Sequence, residues 1–158
     1  MNAWNHVRVT GAATLLGLRV VAALPGPVSA RTGVTSSCGA TTVQSQNGNQ
    51  LFVAGTGPTC LRGAFVAACR SAVLSVRGHG VDTMSALTFT VERETGGCRV
   101  VVKGSNTVFF GRKTRKTTWT SSCTRTATRA EGVVVGGCSD GDYLLSPPGA
   151  PQVANNRF

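Results

Sequence analysis

The chain has 158 residues, of which 41% are hydrophobic and 14% charged, and it holds sixteen Lys and Arg against six Asp and Glu. This excess of positive charge predicts attraction to polyanions such as nucleic acid, anionic lipid or acidic polysaccharide. The two histidines and the lack of a CxxC pair argue against a zinc or redox site, so we predict neither a metal nor a cofactor.

The first thirty residues have the organisation of a secretory signal. A short polar region precedes a mostly apolar run, Gly11–Leu24, which Arg19 interrupts, and small residues suit cleavage after Ala30. The run is shorter than the roughly 20 residues that a membrane-spanning helix needs. We therefore predict extracellular localisation, with a signal peptide over residues 1–30, a secreted cysteine-rich domain over 31–148 and a flexible tail over 149–158.

The first elements predicted within the domain are a hairpin and a helix. Strand-forming residues flank Asn47-Gly48, a pair that tolerates positive φ and favours a tight hairpin turn. Thr59 is a suitable cap for a following helix, and apolar side chains recur at helical spacing from Leu61 to Val76. Gly78 is placed to end that helix.

The six cysteines all follow the predicted signal, and their even number predicts three disulfides. These residues are Cys38, Cys60, Cys69, Cys98, Cys123 and Cys138. Nine residues of helix would separate Cys60 from Cys69 by roughly 13 Å along its axis, so we predict that these two do not pair. The pairing otherwise stays open, and each bridge is expected to contribute roughly 2–4 kcal/mol.

The second half of the domain reads mainly as strands. Met84–Arg93 alternates apolar and polar residues, and the turn Thr95-Gly96-Gly97 leads to an antiparallel partner, Cys98–Lys103. Gly104-Ser105-Asn106 then predicts another turn. The remaining predicted strands are Thr107–Phe110, Gly132–Gly136 and Tyr143–Leu145.

A basic stretch, Gly111–Ala130, contains six cations and no acidic residue. Its threonines favour a strand. The i, i+4 spacing of Trp119 and Cys123 instead favours an amphipathic helix, and we predict that helix over Thr114–Cys123. The cations of the stretch are Arg112, Lys113, Arg115, Lys116, Arg125 and Arg129. The whole pattern predicts a small two-layer α+β domain, disulfide-stabilised, with one secure helix packed on an antiparallel sheet.

The order of short motifs resembles a known family. The chain has an opening Cys38-Gly39, an apolar strand that starts at Cys98, a step at Val108–Gly111 and a Gly-rich strand that ends at Cys138. This order resembles fungal small secreted cysteine-rich effectors of the necrosis-inducing effector domain type. The resemblance implies an extracellular protein that acts on another organism without a catalytic site. The chain departs from that pattern where GRKTRK replaces the usual acidic or amide-rich helix.

These observations predict a secreted, non-enzymatic, effector-like or toxin-like interaction protein. Its basic surface, formed by the six cations of the basic stretch, is expected to bind an anionic partner or a host protein, and we predict a monomer. No catalytic residue is predicted in this interpretation. The alternative is a ribonuclease-like hydrolase that uses His79 with Glu92 or Glu94 as an acid–base pair.

Overall fold

A computed structural model of the chain describes residues 35–47 and 49–153, with residues 44–47 described by their backbone alone. The predicted signal peptide lies outside these residues. Strands account for 62% of the structure and helix for 9%, so the predicted α+β class is wrong and the domain is mostly β. The sheet is curled into a half-barrel and carries a single short helix.

The described residues form one helix and nine strands. In chain order these are β1 Ser36–Asn47, β2 Gln50–Val53, α1 Gly57–Val66, β3 Ala72–His79, β4 Thr83–Glu94, β5 Gly97–Phe110, β6 Lys113–Cys123, β7 Arg125–Arg129, β8 Gly132–Gly136 and β9 Tyr143–Ser146. The sheet order is β6-β5-β4-β3-β1-β2-β9-β8-β7. The sheet is mixed rather than antiparallel, because β1 pairs with β3 and β2 pairs with β9 in parallel.

The predicted hairpins around Asn47 and Gly96 are confirmed. Asn47 pairs with Gln50 at the end of β1, and Glu94 pairs with Gly97 across the β4–β5 turn. The predicted strands over β8 and β9 are also present.

The turn predicted at Gly104-Ser105-Asn106 is wrong, because β5 runs through these residues without a break. Gly104 pairs with Trp119 on β6, and a Cβ at Gly104 would lie 2.1 Å from Trp119 Cε2. The glycine is therefore needed for the close approach of the indole to the strand.

The predicted helix is confirmed in its first part and wrong in its second. It begins at Gly57 with Pro58 in its first turn, so Thr59 lies within the helix and does not cap it. It ends at Val66, because Ala68 and Cys69 adopt left-handed φ angles of 58° and 57°. The residues that follow form β3, in which Ala72, Leu74 and Val76 are buried at every second position.

The helix predicted over Thr114–Cys123 is also wrong, because Lys113–Cys123 forms the edge strand β6. Eleven register pairs join β6 to β5, from Phe110↔Lys113 to Val100↔Cys123. Residues four apart lie on one face of a strand as well as of a helix, so the spacing of Trp119 and Cys123 did not distinguish the two. The threonines that separate the cations decide in favour of the strand.

The core lies inside the curl of the sheet. Buried side chains from β3 to β6 meet those from β2, β8 and β9 there, and Phe89 on β4 packs edge-on against Tyr143 on β9, with ring centroids 5.6 Å apart. Leu61 and Ala64 of the helix complete this cluster.

The three predicted disulfides are present and pair Cys38 with Cys60, Cys69 with Cys98 and Cys123 with Cys138. Cys60 and Cys69 do not pair, as predicted, although Cys69 lies beyond the helix rather than on its opposite side. All three bridges lie at the end of the sheet where β3 begins, β4 ends and β5 begins. We call this the disulfide end.

The segment that follows β9 is held against the sheet as far as Val153. Gln50 is fully buried, and its side-chain amide donates to Ser146 Oγ and to the carbonyl oxygen of Pro151. Its Oε1 accepts a hydrogen bond of 2.8 Å from the Val153 N–H. The described part of the predicted tail is therefore anchored at a buried polar group.

Candidate anionic-partner surface

Two turns lie side by side at the opposite end of the sheet from the disulfides. One joins β3 to β4 through residues 80–82, and the other joins β5 to β6 through Gly111 and Arg112. The Phe109 N–H donates a hydrogen bond of 2.8 Å to the Asp82 carbonyl oxygen, which ties the two turns together. We call residues 80–82 and 110–116 the basic end.

The β5–β6 turn has a local cause. Phe110 pairs with Lys113, so the loop between them contains only Gly111 and Arg112. Gly111 has a φ of 58°, which two-residue hairpin loops require and which glycine adopts without steric cost. The chain therefore reverses within the predicted basic stretch and displays its first four cations around one tip.

These four cations, Arg112, Lys113, Arg115 and Lys116, are all exposed. Alternation along β6 places Lys113 and Arg115 on the face that carries Trp119, and Lys116 on the opposite face. Within the described part of the chain, their side chains have no ion pair or hydrogen bond. Asp82 in the neighbouring turn is the acidic residue of the basic end, so four positive charges face one negative charge there.

A shallow groove of about 310 Å³ adjoins the basic end on the outer face of the sheet. Its lining from β3 to β6 combines the cations Arg77 and Lys116 with hydroxyl groups such as that of Thr107, beside His79 and the apolar Met84 and Ala86. Cations and hydroxyl donors are the groups that bind phosphate, sulfate or carboxylate oxygens in proteins. The groove therefore extends the positive surface from the tip along the sheet.

The last two cations of the predicted surface lie elsewhere in the sheet order. Arg125 and Arg129 belong to β7, the edge strand opposite β6. Arg125 donates to Asp142 Oδ2 at 2.6 Å. Burial disfavours the charged form of Asp142, but hydrogen bonds from Arg125 and from the backbone of Gly137 outweigh it and lower the pKa of this carboxyl below its usual value.

The residues of the hydrolase alternative are not brought together. His79 pairs with Met84 beside the basic end, whereas Glu92 lies eight residues further along β4 than Met84, roughly 27 Å away along the strand. Arg99 donates to Glu92 at 3.0 Å and to Glu94 at 2.8 Å, so both carboxylates are engaged at the disulfide end.

Trp119 is used inside the domain rather than in the basic surface. Its ring lies over Gly104, and its Nε1–H donates to Tyr143 Oη at 3.2 Å. Tyr143 in turn donates to Asp140 Oδ2 at 2.6 Å. Burial and the hydrogen bond to Asp140 raise the pKa of Tyr143 to about 12.

The Trp119–Tyr143 pair borders a cavity of about 360 Å³ beside the core. Leu51 and Leu87 form its apolar wall, and Asn49 and Asn106 contribute amide groups. Ser85 Oγ donates to Asn106 Oδ1 at 3.4 Å, and the aromatic and acidic groups on the other side bond to one another. Most of the polar lining is therefore satisfied within the protein.

Two apolar residues of the basic end were not singled out by the sequence. Val81, between Gly80 and Asp82, is 101% exposed, and Phe110 is 63% exposed. Phe110 is the last residue of the predicted strand Thr107–Phe110, where it follows the apolar Val108 and Phe109. Their exposure could have been predicted from their positions, since each residue lies in or directly beside a turn.

Fold and surface together define the class: a small, mostly β domain with three disulfides and a cationic tip at the end away from them. No protein-family model, curated protein sequence or solved structure significantly matches the chain. The similarity to fungal effectors therefore stays a prediction. Within residues 35–47 and 49–153, no helix is both long and apolar enough to cross a membrane.

Proposed function

We propose that this protein is a secreted, non-enzymatic interaction protein, effector-like or toxin-like, that binds an anionic partner through its basic end. The observation that carries the proposal is the set of four exposed cations on one hairpin tip, without ion-pair partners among the described residues. The three disulfides are compatible with an extracellular protein, since such bonds persist in oxidising compartments.

The distribution of acidic residues supports this choice of surface. Four of the six carboxylates in the chain are engaged: Glu92 and Glu94 with Arg99, Asp142 with Arg125, and Asp140 with Tyr143. Of these four, none lies at the basic end. The positive potential there is consequently little compensated, and clustered cations attract polyanions more strongly than scattered ones.

A second explanation exists for charges on an edge strand. β6 lies at one edge of the sheet, and charged side chains at an edge hinder pairing with another sheet. That explanation accounts for Lys113, Arg115 and Lys116 on the strand. It does not require Arg112, which lies in the turn, or the continuation of positive charge into the groove through Arg77.

The two explanations differ in whether the position of the cations matters for binding. We expect Arg112→Glu/Arg115→Glu to weaken binding to immobilised heparin by at least about tenfold, because each interfacial cation contributes roughly 1 kcal/mol. The matched control is Arg70→Glu/Lys103→Glu, which changes the net charge equally at two exposed positions outside the basic end.

The control is expected to shift the salt concentration of elution much less. Equal loss in both double variants would mean that net charge alone drives retention, and the proposed surface would be rejected. An Arg125→Glu/Arg129→Glu variant tests separately whether β7 belongs to the same surface.

A further inference from the structure

We infer that the partner of the basic end is an anionic lipid bilayer, into whose interface Val81 and Phe110 insert while the surrounding cations contact lipid headgroups. This inference rests on the proposed function and narrows its partner to one kind of surface.

The two apolar side chains of the basic end are among the most exposed in the described part of the chain. The core side chains of this domain are almost wholly buried, yet Val81 is 101% exposed and Phe110 is 63% exposed. Full burial of such a side chain is worth roughly 1.5–3 kcal/mol, so their exposure forgoes a substantial gain. Single exposed apolar residues are common on soluble domains, so it is apolar groups lying together that mark a surface covered by a partner.

Their placement brings them to the same end of the sheet. Val81 lies in the β3–β4 turn and Phe110 directly precedes the β5–β6 turn, and the Phe109 N–H to Asp82 O hydrogen bond joins these turns. Both turns are at the same end of an antiparallel meander, so one flat surface can meet both side chains at once. Arg112 and Lys113 are next to Phe110, within reach of headgroups at the same depth.

This combination fits a bilayer better than a soluble polyanion. A membrane interface offers a continuous apolar layer beneath a layer of negative charge, whereas an acidic polysaccharide offers charge, hydroxyl groups and small sugar faces without such a layer. Nucleic acid can stack on an aromatic ring, but the aliphatic Val81 has no such use. Protection of the sheet edge does not explain these residues either, because exposed apolar groups favour aggregation rather than oppose it.

The first experiment measures co-sedimentation with vesicles of phosphatidylcholine that contain phosphatidylserine. We expect Phe110→Ser to weaken binding about tenfold and Val81→Ser about fivefold, because each change removes apolar surface that the bilayer interface would bury. The matched control is Val66→Ser, since Val66 is 59% exposed on the helix and lies outside the basic end. We expect this control to bind as the parent does, and pure phosphatidylcholine vesicles to retain little protein.

Heparin retention of the same variants distinguishes the bilayer inference from the proposed function. Phe110→Ser should keep parental heparin retention, because it removes no charge. If vesicle binding depends on Arg112 and Arg115 but not on Phe110 or Val81, the bilayer inference fails and the proposed function stands. If charge reversal changes neither heparin nor vesicle binding, the proposed function itself fails.

A second experiment reads insertion directly and does not depend on loss of binding. We expect the emission of a Phe110→Trp variant to shift to the blue with anionic vesicles and to be quenched by lipids brominated on their acyl chains. A Val66→Trp variant should show neither change. Unquenched emission from the vesicle-bound Phe110→Trp variant would overturn the insertion of this side chain.

Discussion

The two ends of the β3–β6 meander are built from the same strands but differ in whether their side chains have partners within the fold. At the disulfide end, Cys69–Cys98 ties β5 to the segment before β3, Cys123–Cys138 ties β6 to the segment after β8, and Arg99 pairs with Glu92 and Glu94. At the basic end, four cations and two exposed apolar side chains have no such partners among the described residues.

This difference indicates where stability and binding are located in the domain. Groups that already have partners within the fold contribute to its stability and have little left to offer another molecule. Unpartnered charges and exposed apolar groups add little to folding but are free to interact. A substitution at the disulfide end should therefore lower stability without weakening binding, and a substitution at the basic end should weaken binding with little loss of stability.

The largest effect is expected from removal of a disulfide. Cys69 and Cys98 are 29 residues apart, and the loss of their bridge in Cys69→Ser/Cys98→Ser should lower the free energy of unfolding by about 3–4 kcal/mol. Urea denaturation measures this loss. Heparin retention under native conditions should be unchanged, and a parallel loss of retention would show that the two ends are not independent.

A smaller loss of stability is expected when Tyr143 is deprotonated. This residue lies between the two ends, where the two sides of the curled sheet meet. Its pKa in the fold, about 12, lies above the ordinary value of 10.0, so the fold favours the neutral phenol. The resulting stability of roughly 2–3 kcal/mol is fully present below pH 10 and is lost as the pH rises toward 12.

Urea denaturation across this pH range measures the loss, and Tyr143→Phe is the control that should lack this pH dependence. Tyr143 is the single tyrosine of the chain, so its tyrosinate absorbance reports the titration without ambiguity. Titration near pH 10 in the folded protein would contradict the buried hydrogen-bonded phenol.

The local parts of this fold were predictable from sequence, because they depend on neighbouring residues. Turn glycines and alternation predicted the β4–β5 hairpin, and apolar runs predicted β8 and β9. The end of the helix was missed because Ala68 and Cys69 adopt left-handed φ without a glycine or proline to signal it. The strand β6 was missed because the i, i+4 spacing of Trp119 and Cys123 suits both periods.

The curl of the sheet and the site depend on contacts between distant residues. The Cys123–Cys138 bridge and the Trp119–Tyr143 hydrogen bond join β6 to segments far from it in the sheet order, and no short pattern encodes them. The cations of the surface were identifiable by composition. Their grouping at a tip with Val81 and Phe110 required knowledge of which turns lie side by side.

The smallest effects on stability are expected from substitution of single cations. These substitutions test most directly whether the two ends differ in having partners within the fold. Arg99→Met should cost at most about 1 kcal/mol, because its two ion pairs are partly exposed and screened by solvent. Arg115→Met should change stability by less than about 0.5 kcal/mol, since its side chain has no described partner to lose. Thermal melts at low and high salt measure both, and only the Arg99→Met difference should shrink as salt is added. An equal, salt-sensitive loss of stability in Arg115→Met would mean that Arg115 has an electrostatic partner within the fold. That result would weaken the proposal that the cations of the basic end bind an external partner.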